Sequence, residues 1–159
     1  RWLSDWSSDV CSSDLGFDSS DAAKIGGAAL VEGAGTYFST VAGPASAYPG
    51  TAKFQADFKA KFGAEPQPFA AQAFDSGAIV LKAIENAAKA AGNKIPTRQA
   101  VAKAVRALKD FPGITGTFNF NSKGDLTKAK YFIIQVTSGD PAQWSANKID
   151  QVLDIEPPQ

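Results

Sequence analysis

Apolar residues recur with a helical period through the middle of the chain. Phe54, Phe58 and Phe62 stand at i, i+4 and i+8, which predicts a helix from Thr51 to Phe62 with one aromatic face. Thr51 occupies the usual N-cap position of that helix and Gly63 its usual stop position. We therefore expect the Thr51 side chain to cap the helix and the phenylalanine face to lie in the core.

The longest predicted helix covers residues 69–91. Pro66 and Pro68 precede it, and proline suits the first turn of a helix because the N–H that it lacks would have no partner there. Gly92 marks the end of this helix. The face that we expect to be buried is apolar throughout and consists of Phe74, Ala78, Leu81, Ile84 and Ala88.

Two shorter helices are predicted from the same signals. One covers residues 21–30. The other begins after Thr97, which we expect to be its N-cap. Its apolar face carries Val101, Val105 and Leu108.

Strand patterns lie at residues 35–41 and in the last third of the chain. Residues 114–121 (ITGTFNFN) alternate in polarity, and residues 121–125 (NSKGD) have the composition of a turn. Residues 130–136 (KYFIIQV) are almost continuously apolar, which predicts a strand buried on both faces. A weaker strand follows at residues 148–155. Long helices between strands indicate an α/β layered lobe.

Residues 1–15 (RWLSDWSSDVCSSDL) do not share these patterns. The segment has neither the helical nor the strand period. Its scattered acidic residues and its lack of an apolar stretch distinguish it from a signal peptide. The string WSSDVCSSDL resembles a translated sequencing adapter. We therefore expect a non-native or disordered lead over residues 1–15 and a folded region over residues 16–159.

Composition excludes several kinds of chemistry. The 159 residues include 16 basic and 16 acidic side chains, no histidine and a single cysteine, Cys11. Without histidine the chain lacks Ser-His-Asp and Cys-His catalytic groups and the usual zinc ligands, so we expect no metal and no cofactor. A formal net charge of zero gives no reason to expect a nucleic-acid partner. No apolar run approaches the ~18 residues of a membrane span, and we expect no direct membrane insertion.

Candidate phosphate-binding and catalytic patterns are weak. Residues 33–35 (GAG) begin a phosphate-binding glycine motif, but Phe38 stands at its third glycine position. The FDSG string around Asp75 lies inside a predicted helix rather than at a strand–turn–helix elbow. A small α/β enzyme that uses paired carboxylates such as Asp75 and Asp125 stays open as an alternative. It requires both groups to face one pocket.

Phe69 is the candidate ligand contact that the pattern itself suggests. It follows Pro68 at the first turn of the longest helix, and such turns in layered α/β lobes face the crevice where ligands bind. An aromatic ring there can cover an aliphatic ligand, or it can belong to the core. Spacing alone leaves both interpretations open.

Four segments, in order, resemble the periplasmic leucine/isoleucine/valine-binding proteins. Residues 16–33 (GFDSSDAAKIGG…EG) resemble the family pattern acid-G-x-x-S-x-x-x-x-K-x-A/G-G…EG. Residues 54–66 resemble F…F…Y/F-G-x-x-P, and residues 68–75 (PFAAQAFD) resemble P-x-x-A-x-x-A-Y-D. Residues 116–136 resemble G-x-x-x-F-D…G-D…Q-V. Each motif is weak by itself, but four in the right order are fairly specific and cover essentially all of residues 16–159.

The resemblance implies a partial Rossmann-like lobe of a two-lobe type I periplasmic binding protein. Such proteins close two α/β lobes on an amino acid, perform no chemistry, and deliver the solute to the membrane permease of an ABC importer. The chain would be the C-terminal part of a non-enzymatic periplasmic or cell-surface receptor for a branched-chain amino acid or a related amide. Phe69 matches the family aromatic that covers the ligand side chain, and Gly16 and Phe17 lie in the matching ligand-binding segment.

One position departs from the family pattern. An acidic residue directly before the glycine that matches Gly16 pairs with the ligand ammonium in the family, and here that position is Leu15. A buried ammonium needs an anionic partner, so the resemblance implies that this ammonium site is lost. A ligand-sensing domain of an amide or amino-acid regulator is the alternative within the same fold.

Overall fold

The computed structural model describes residues 36–67, 69–138, 140 and 146–156. The expected lead over residues 1–15, the helix predicted over residues 21–30, and the candidates Gly16 and Phe17 all lie outside the described residues. The helices are α1 (Ala52–Phe62), α2 (Ala70–Ala90) and α3 (Arg98–Arg106), and the strands are β1 (Tyr37–Thr40), β2 (Phe111–Pro112), β3 (Thr117–Phe118), β4 (Ala129–Gln135) and β5 (Lys148–Ile155). Two 3-10 turns, Ala45–Ala47 and Pro49–Thr51, precede α1.

Most of the predicted elements are confirmed. The bounds of α1, α2, β1, β4 and β5 agree with the sequence patterns to within two residues. Gly63 ends α1 in a left-handed conformation, with φ of 70°. Thr97 caps α3 as expected, because its side-chain oxygen accepts a hydrogen bond from the Ala100 N–H at 3.2 Å. Among the described helices, none combines the length and the apolar character needed to cross a membrane.

The chain divides into two compact units. The strand unit contains the described residues 36–40, 132–138, 140 and 146–152, and the helical unit contains residues 41–67, 69–131 and 153–156. The larger sheet has the strand order β1-β4-β5, and a separate two-stranded sheet joins β2 to β3.

In the strand unit, β1 pairs antiparallel with β4, and Thr40 stands opposite Phe132. Phe132, Ile134 and Val136 are buried, whereas the residues between them are only half-buried. The expectation that this strand is buried on both faces is therefore wrong. Its burial alternates, which is the pattern of an antiparallel strand with one core face.

The buried face of α2 lies beside the face that the pattern predicts. The buried residues of α2 are Ala71, Asp75, Ile79, Ala83 and Ala87. Phe74, Leu81 and Ile84 of the predicted stripe are exposed, Leu81 to 69%, so the predicted core face of this helix is wrong. Small side chains let neighbouring elements approach closely, and α2 packs against α3.

The phenylalanine row of α1 forms a ladder of rings that is half-buried at Phe54 and Phe58 and exposed at Phe62. No residue of α1 is buried, and Phe62 is 61% exposed. Ring centroids lie 5.8 Å apart for Phe54 and Phe58 and 4.6 Å apart for Phe58 and Phe62. Phe54 also contacts Phe74 of α2, at 5.3 Å. The expectation that these rings lie in the core is wrong, because they pack mainly on one another and on the exposed side of α2.

Thr51 precedes α1 but does not cap it with its side chain. Its hydroxyl group lies 2.7 Å from the Tyr48 carbonyl oxygen, to which it donates, and it accepts a hydrogen bond from Gln55 Nε2 at 2.9 Å. Thr51 ends a 3-10 turn and already has near-helical backbone angles. The predicted side-chain cap is therefore wrong, and the hydroxyl group holds the preceding turn instead.

A small hairpin replaces the strand predicted over residues 114–121. Phe111 pairs with Phe118, and the Gly113 N–H donates to the Gly116 carbonyl at 2.8 Å. The alternating pattern therefore spans a turn and one short strand. The turn predicted at residues 121–125 is confirmed, because the Asn121 side-chain oxygen accepts three consecutive backbone N–H groups.

Candidate functional site

A cavity of about 470 Å³ opens within the helical unit. It is bounded by the segment before α1, the first turns of α2, the hairpin, and residues near the start of β4 and the end of β5. The lining residues are Val41, Tyr48, Phe69, Gln72, Ser76, Thr115, Gly116, Thr117, Phe118, Leu126, Lys128, Ala129, Lys130 and Asp154. Three aromatic rings and a few polar groups give this wall the mixed character of a small-molecule site.

Phe69 stands at the entry to α2 and lines the cavity. Its backbone is left-handed, with φ of 67° and ψ of −6°, a conformation that is uncommon for a bulky residue. Its carbonyl oxygen accepts the Ala73 N–H at 2.8 Å, so it opens the hydrogen-bond ladder of the helix. Backbone strain of this kind often occurs at binding sites.

Tyr48 and Gln72 join two walls of the cavity. Gln72 Nε2 donates to the Tyr48 hydroxyl oxygen at 2.8 Å, and the Gly43 N–H donates to the same oxygen at 3.2 Å. Tyr48 is buried, and this burial raises the pKa of its phenol above the ordinary value of 10.0. Gln72 Oε1 is buried and receives no hydrogen bond within the part of the chain that the structure describes.

Asp75 fixes the hairpin side of the cavity. Its carboxylate accepts the N–H groups of Ile114 and Thr115, both at 2.8 Å, and the Thr115 hydroxyl group at 2.6 Å. The residue is 1% exposed, and hydrogen bonds to a carboxylate are among the stronger ones in proteins. Gly113 allows this close approach, because a Cβ atom there would lie 2.7 Å from Asp75 Oδ2. Asp75 therefore positions Thr115 and Gly116 in the cavity wall.

Charged side chains border the cavity on the sheet side. Lys130 Nζ lies 2.9 Å from Asp154 Oδ1, and Lys128 Nζ lies 3.8 Å from Glu156 Oε1. These side chains are about half exposed or more, and such pairs contribute little to stability. They place both signs of charge beside the apolar part of the cavity.

Asp75 and Asp125 do not share this cavity. Asp75 is engaged by the hairpin, whereas Asp125 is exposed and accepts from Asn121 Nδ2 at 3.3 Å. Neither residue lines the cavity, so Asp75 and Asp125 do not form the carboxylate pair in one pocket that the enzyme alternative named. Within the described ranges, no group of three His, Cys, Asp or Glu residues is placed to hold a metal ion.

Sequence reasoning identified Phe69 but missed the other residues of the cavity. Tyr48 and Gln72 are 24 positions apart, and neither belongs to a recognisable motif. Asp75 was placed in a helix, but its role as an anchor was not foreseen. An acidic residue within a row of buried alanines is a signal that could have indicated it, since buried carboxylates need partners.

Comparison with known proteins identifies the family. The sequence model of a family described as periplasmic binding protein matches residues 10–141, well over half of the chain. The chain belongs to the periplasmic binding protein family. A search of curated protein sequences finds no significant match.

A solved structure supports the same family. The chain is similar to a leucine-binding protein, LivK, from Thermotoga maritima MSB8, with 26% sequence identity and a TM-score of 0.64. The match covers 84% of this chain and 34% of the other, so the chain spans about a third of the length of that periplasmic binding protein. The α/β fold is thus part of the two-lobe type I periplasmic binding fold, as the sequence resemblance implied.

Proposed function

We propose that this chain is part of the solute-binding component of an ABC importer for branched-chain amino acids or related amides. The observation that supports this best is the aromatic wall of the cavity, in a chain that belongs to the periplasmic binding protein family. Such a component holds its ligand without chemical change. It would act in the periplasm or at the cell surface and deliver the solute to a membrane permease.

Phe69 is the residue that we propose covers the ligand side chain. Tyr48 and Phe118 line the same cavity, so an aliphatic group entering it would meet rings rather than water. Burial of one aliphatic side chain contributes about 1.5–3 kcal/mol, whereas micromolar affinity requires about 8 kcal/mol. Apolar contact at Phe69 therefore provides selectivity for an aliphatic group but only a minor part of the affinity.

The remaining affinity would come from groups that hold the ligand ammonium and carboxylate. Gly16 and Phe17 remain proposed ligand contacts, and Leu15 stands where the resemblance places the ammonium-pairing acid. We therefore expect this chain to show no saturable micromolar heat with leucine, isoleucine or valine in calorimetry. We expect Leu15→Asp alone to leave that result unchanged, because the resemblance implies that the ligand carboxylate is held by the first lobe of such receptors, and the chain spans only about a third of the relative's length.

Backbone NMR of the chain tests the proposal directly at the cavity. Leucine, isoleucine and valine at high millimolar concentration should shift the amide signals of Phe69, Gln72 and residues 115–118. Aspartate and lysine should leave those signals nearly unchanged. Phe69→Ala should abolish the response, whereas Phe62→Ala, which removes an exposed ring outside the cavity, should preserve it.

Three results would contradict the proposed site or its preference for aliphatic groups. Saturable micromolar binding would mean that the main determinants lie elsewhere in this chain. Equal shifts with aspartate and leucine would remove the aliphatic preference. A response that survives in Phe69→Ala would remove the proposed role of the ring.

A further inference from the structure

Basic residues are concentrated in one stretch of a chain whose net charge is zero. Residues 86–109 contain six basic and no acidic side chains, while the remainder of the chain carries ten basic and sixteen acidic ones. This stretch runs from the C-terminal part of α2 through α3. The helical unit therefore presents a locally positive region that the overall charge conceals.

Five of these six cations have no acidic partner among the described residues. Lys89 pairs with Glu85, and Lys109 donates to the Phe120 carbonyl at 3.4 Å. The four cations that form neither an ion pair nor a side-chain hydrogen bond with any described residue are Lys94, Arg98, Lys103 and Arg106.

An apolar groove of about 470 Å³ lies beside these cations, between α2 and α3. Ile84 and Val101 contribute to it from the two helices, and Ile95 and Pro96 contribute from the loop that joins them. Ile95 is 97% exposed, which is unusual for a large aliphatic side chain. Arg98 lines the same groove.

Helix geometry places two of the cations, Arg98 and Arg106, in one row with a residue that lines the groove. Arg98, Ala102 and Arg106 are spaced i, i+4 and i+8 on α3, so they share one face. Arg98 and Ala102 line the groove directly. Arg106 extends the same row by one turn, and Lys94 precedes the exposed Ile95.

We propose that this groove docks an acidic segment of a partner protein, which inserts one aliphatic side chain beside Ile95 and places carboxylates over Arg98 and Arg106. Charge complementarity selects the acidic partner, and the concave apolar groove selects a segment that offers a single anchoring side chain. An anionic lipid surface or a nucleic acid would engage the cations through charge alone, whereas an acidic segment with an aliphatic side chain also uses the apolar groove.

Fluorescence polarisation with a labelled acidic peptide that carries one central leucine tests the proposal. The full chain should bind this peptide, and binding should weaken as salt is raised, because exposed charges are screened. Arg98→Glu should weaken binding by about tenfold or more. This variant should still fold, because an acidic residue in the first turn of α3 favours the helix dipole. Ile95→Ser changes an exposed side chain and should weaken binding by about five- to tenfold.

Matched controls separate the groove from general charge attraction. Lys61→Glu makes the same change of net charge on α1 as Arg98→Glu and should leave the peptide affinity unchanged. Circular dichroism of each variant checks that its fold is retained. Equal binding of a peptide with serine in place of leucine would overturn the proposal, and so would equal weakening by Lys61→Glu. Absence of peptide binding, or binding only to vesicles of anionic phospholipid, would overturn it as well.

Discussion

At the scale of single residues, Asp75 shows how a buried carboxylate organises a binding wall. Its three hydrogen bonds end on two adjacent residues, Ile114 and Thr115. The helix holds the Asp75 carboxylate in a fixed position. The hairpin turn therefore adopts the conformation in which its backbone N–H groups point at that carboxylate. The shape of the cavity near Thr115 therefore depends on a side chain that does not line it.

Replacement of Asp75 is expected to destabilise the helical unit markedly. Asp75→Asn keeps the size of the side chain but removes the charge and turns an amide donor toward the hairpin donors. We expect a loss of about 2–4 kcal/mol in the free energy of unfolding, measured by urea denaturation. Asp125→Asn, at an exposed position, should change it by less than about 0.5 kcal/mol. Equal effects of the two substitutions would show that the Asp75 hydrogen bonds do not hold the hairpin.

At the scale of elements, sequence patterns located the helices and strands but not always their faces. In α2 the predicted row carries Phe74, Leu81 and Ile84, whereas the buried row consists of alanines, Ile79 and Asp75. Hydrophobicity alone therefore selects the wrong row. The long-range hydrogen bonds of Asp75 with Ile114 and Thr115 hold the row that contains Asp75 on the buried side of the helix. The ring ladder of α1 was misassigned for a related reason, because side-chain spacing shows which residues share a face but not what covers it.

Glu85 of α2 forms ion pairs with both Lys82 and Lys89, and these three residues form an ion triad. The triad leads to a prediction about pH dependence. Hydrogen bonds from Lys89 and then Lys82 lower the pKa of Glu85 from 4.5 to about 2. The stabilising contribution of the triad is therefore complete above the ordinary glutamate pKa and is lost as the pH falls toward about 2. An NMR titration of the Glu85 carboxyl carbon should give this low midpoint at low salt.

Two changes should restore the ordinary behaviour of Glu85. The double variant Lys82→Gln, Lys89→Gln removes both partners, and high salt screens exposed pairs, so each should raise the midpoint toward 4.5. A midpoint near 4.5 in the unmodified chain at low salt would show that these exposed side chains do not remain paired in solution.

At the scale of the whole molecule, the fold class and family were accessible from sequence because motif order survives substitution at individual positions. The rest of the cavity wall was not accessible, since Tyr48, Gln72 and Thr115 come together only in three dimensions. The bounds of β5 follow its sequence pattern. Val152, Leu153 and Ile155 of β5 are exposed, and β5 is one of the two terminal strands in the order β1-β4-β5 of the described residues.

The exposed apolar residues of β5 are expected to cause self-association of this chain. A terminal strand with exposed aliphatic side chains favours pairing with another copy. Size-exclusion chromatography with light scattering should show mass rising with concentration, and Leu153→Lys should reduce it because a lysine opposes edge pairing. Leu81→Lys makes the same change on exposed α2 and should not reduce it. A concentration-independent monomer that unfolds cooperatively would contradict this expectation.

The left-handed backbone of Phe69 means that a substitution that stabilises the fold at this position would remove the ring proposed to bind the ligand. A bulky residue in that conformation loses about 1–2 kcal/mol relative to one that adopts it freely, and glycine adopts it freely. Selection of random variants for thermal stability alone would therefore favour glycine or asparagine at position 69, and it would empty the cavity of the ring that we propose covers the ligand. Thermostabilising engineering of this periplasmic binding protein should accordingly leave position 69 unchanged and seek its gains on the solvent faces of α1 and α2.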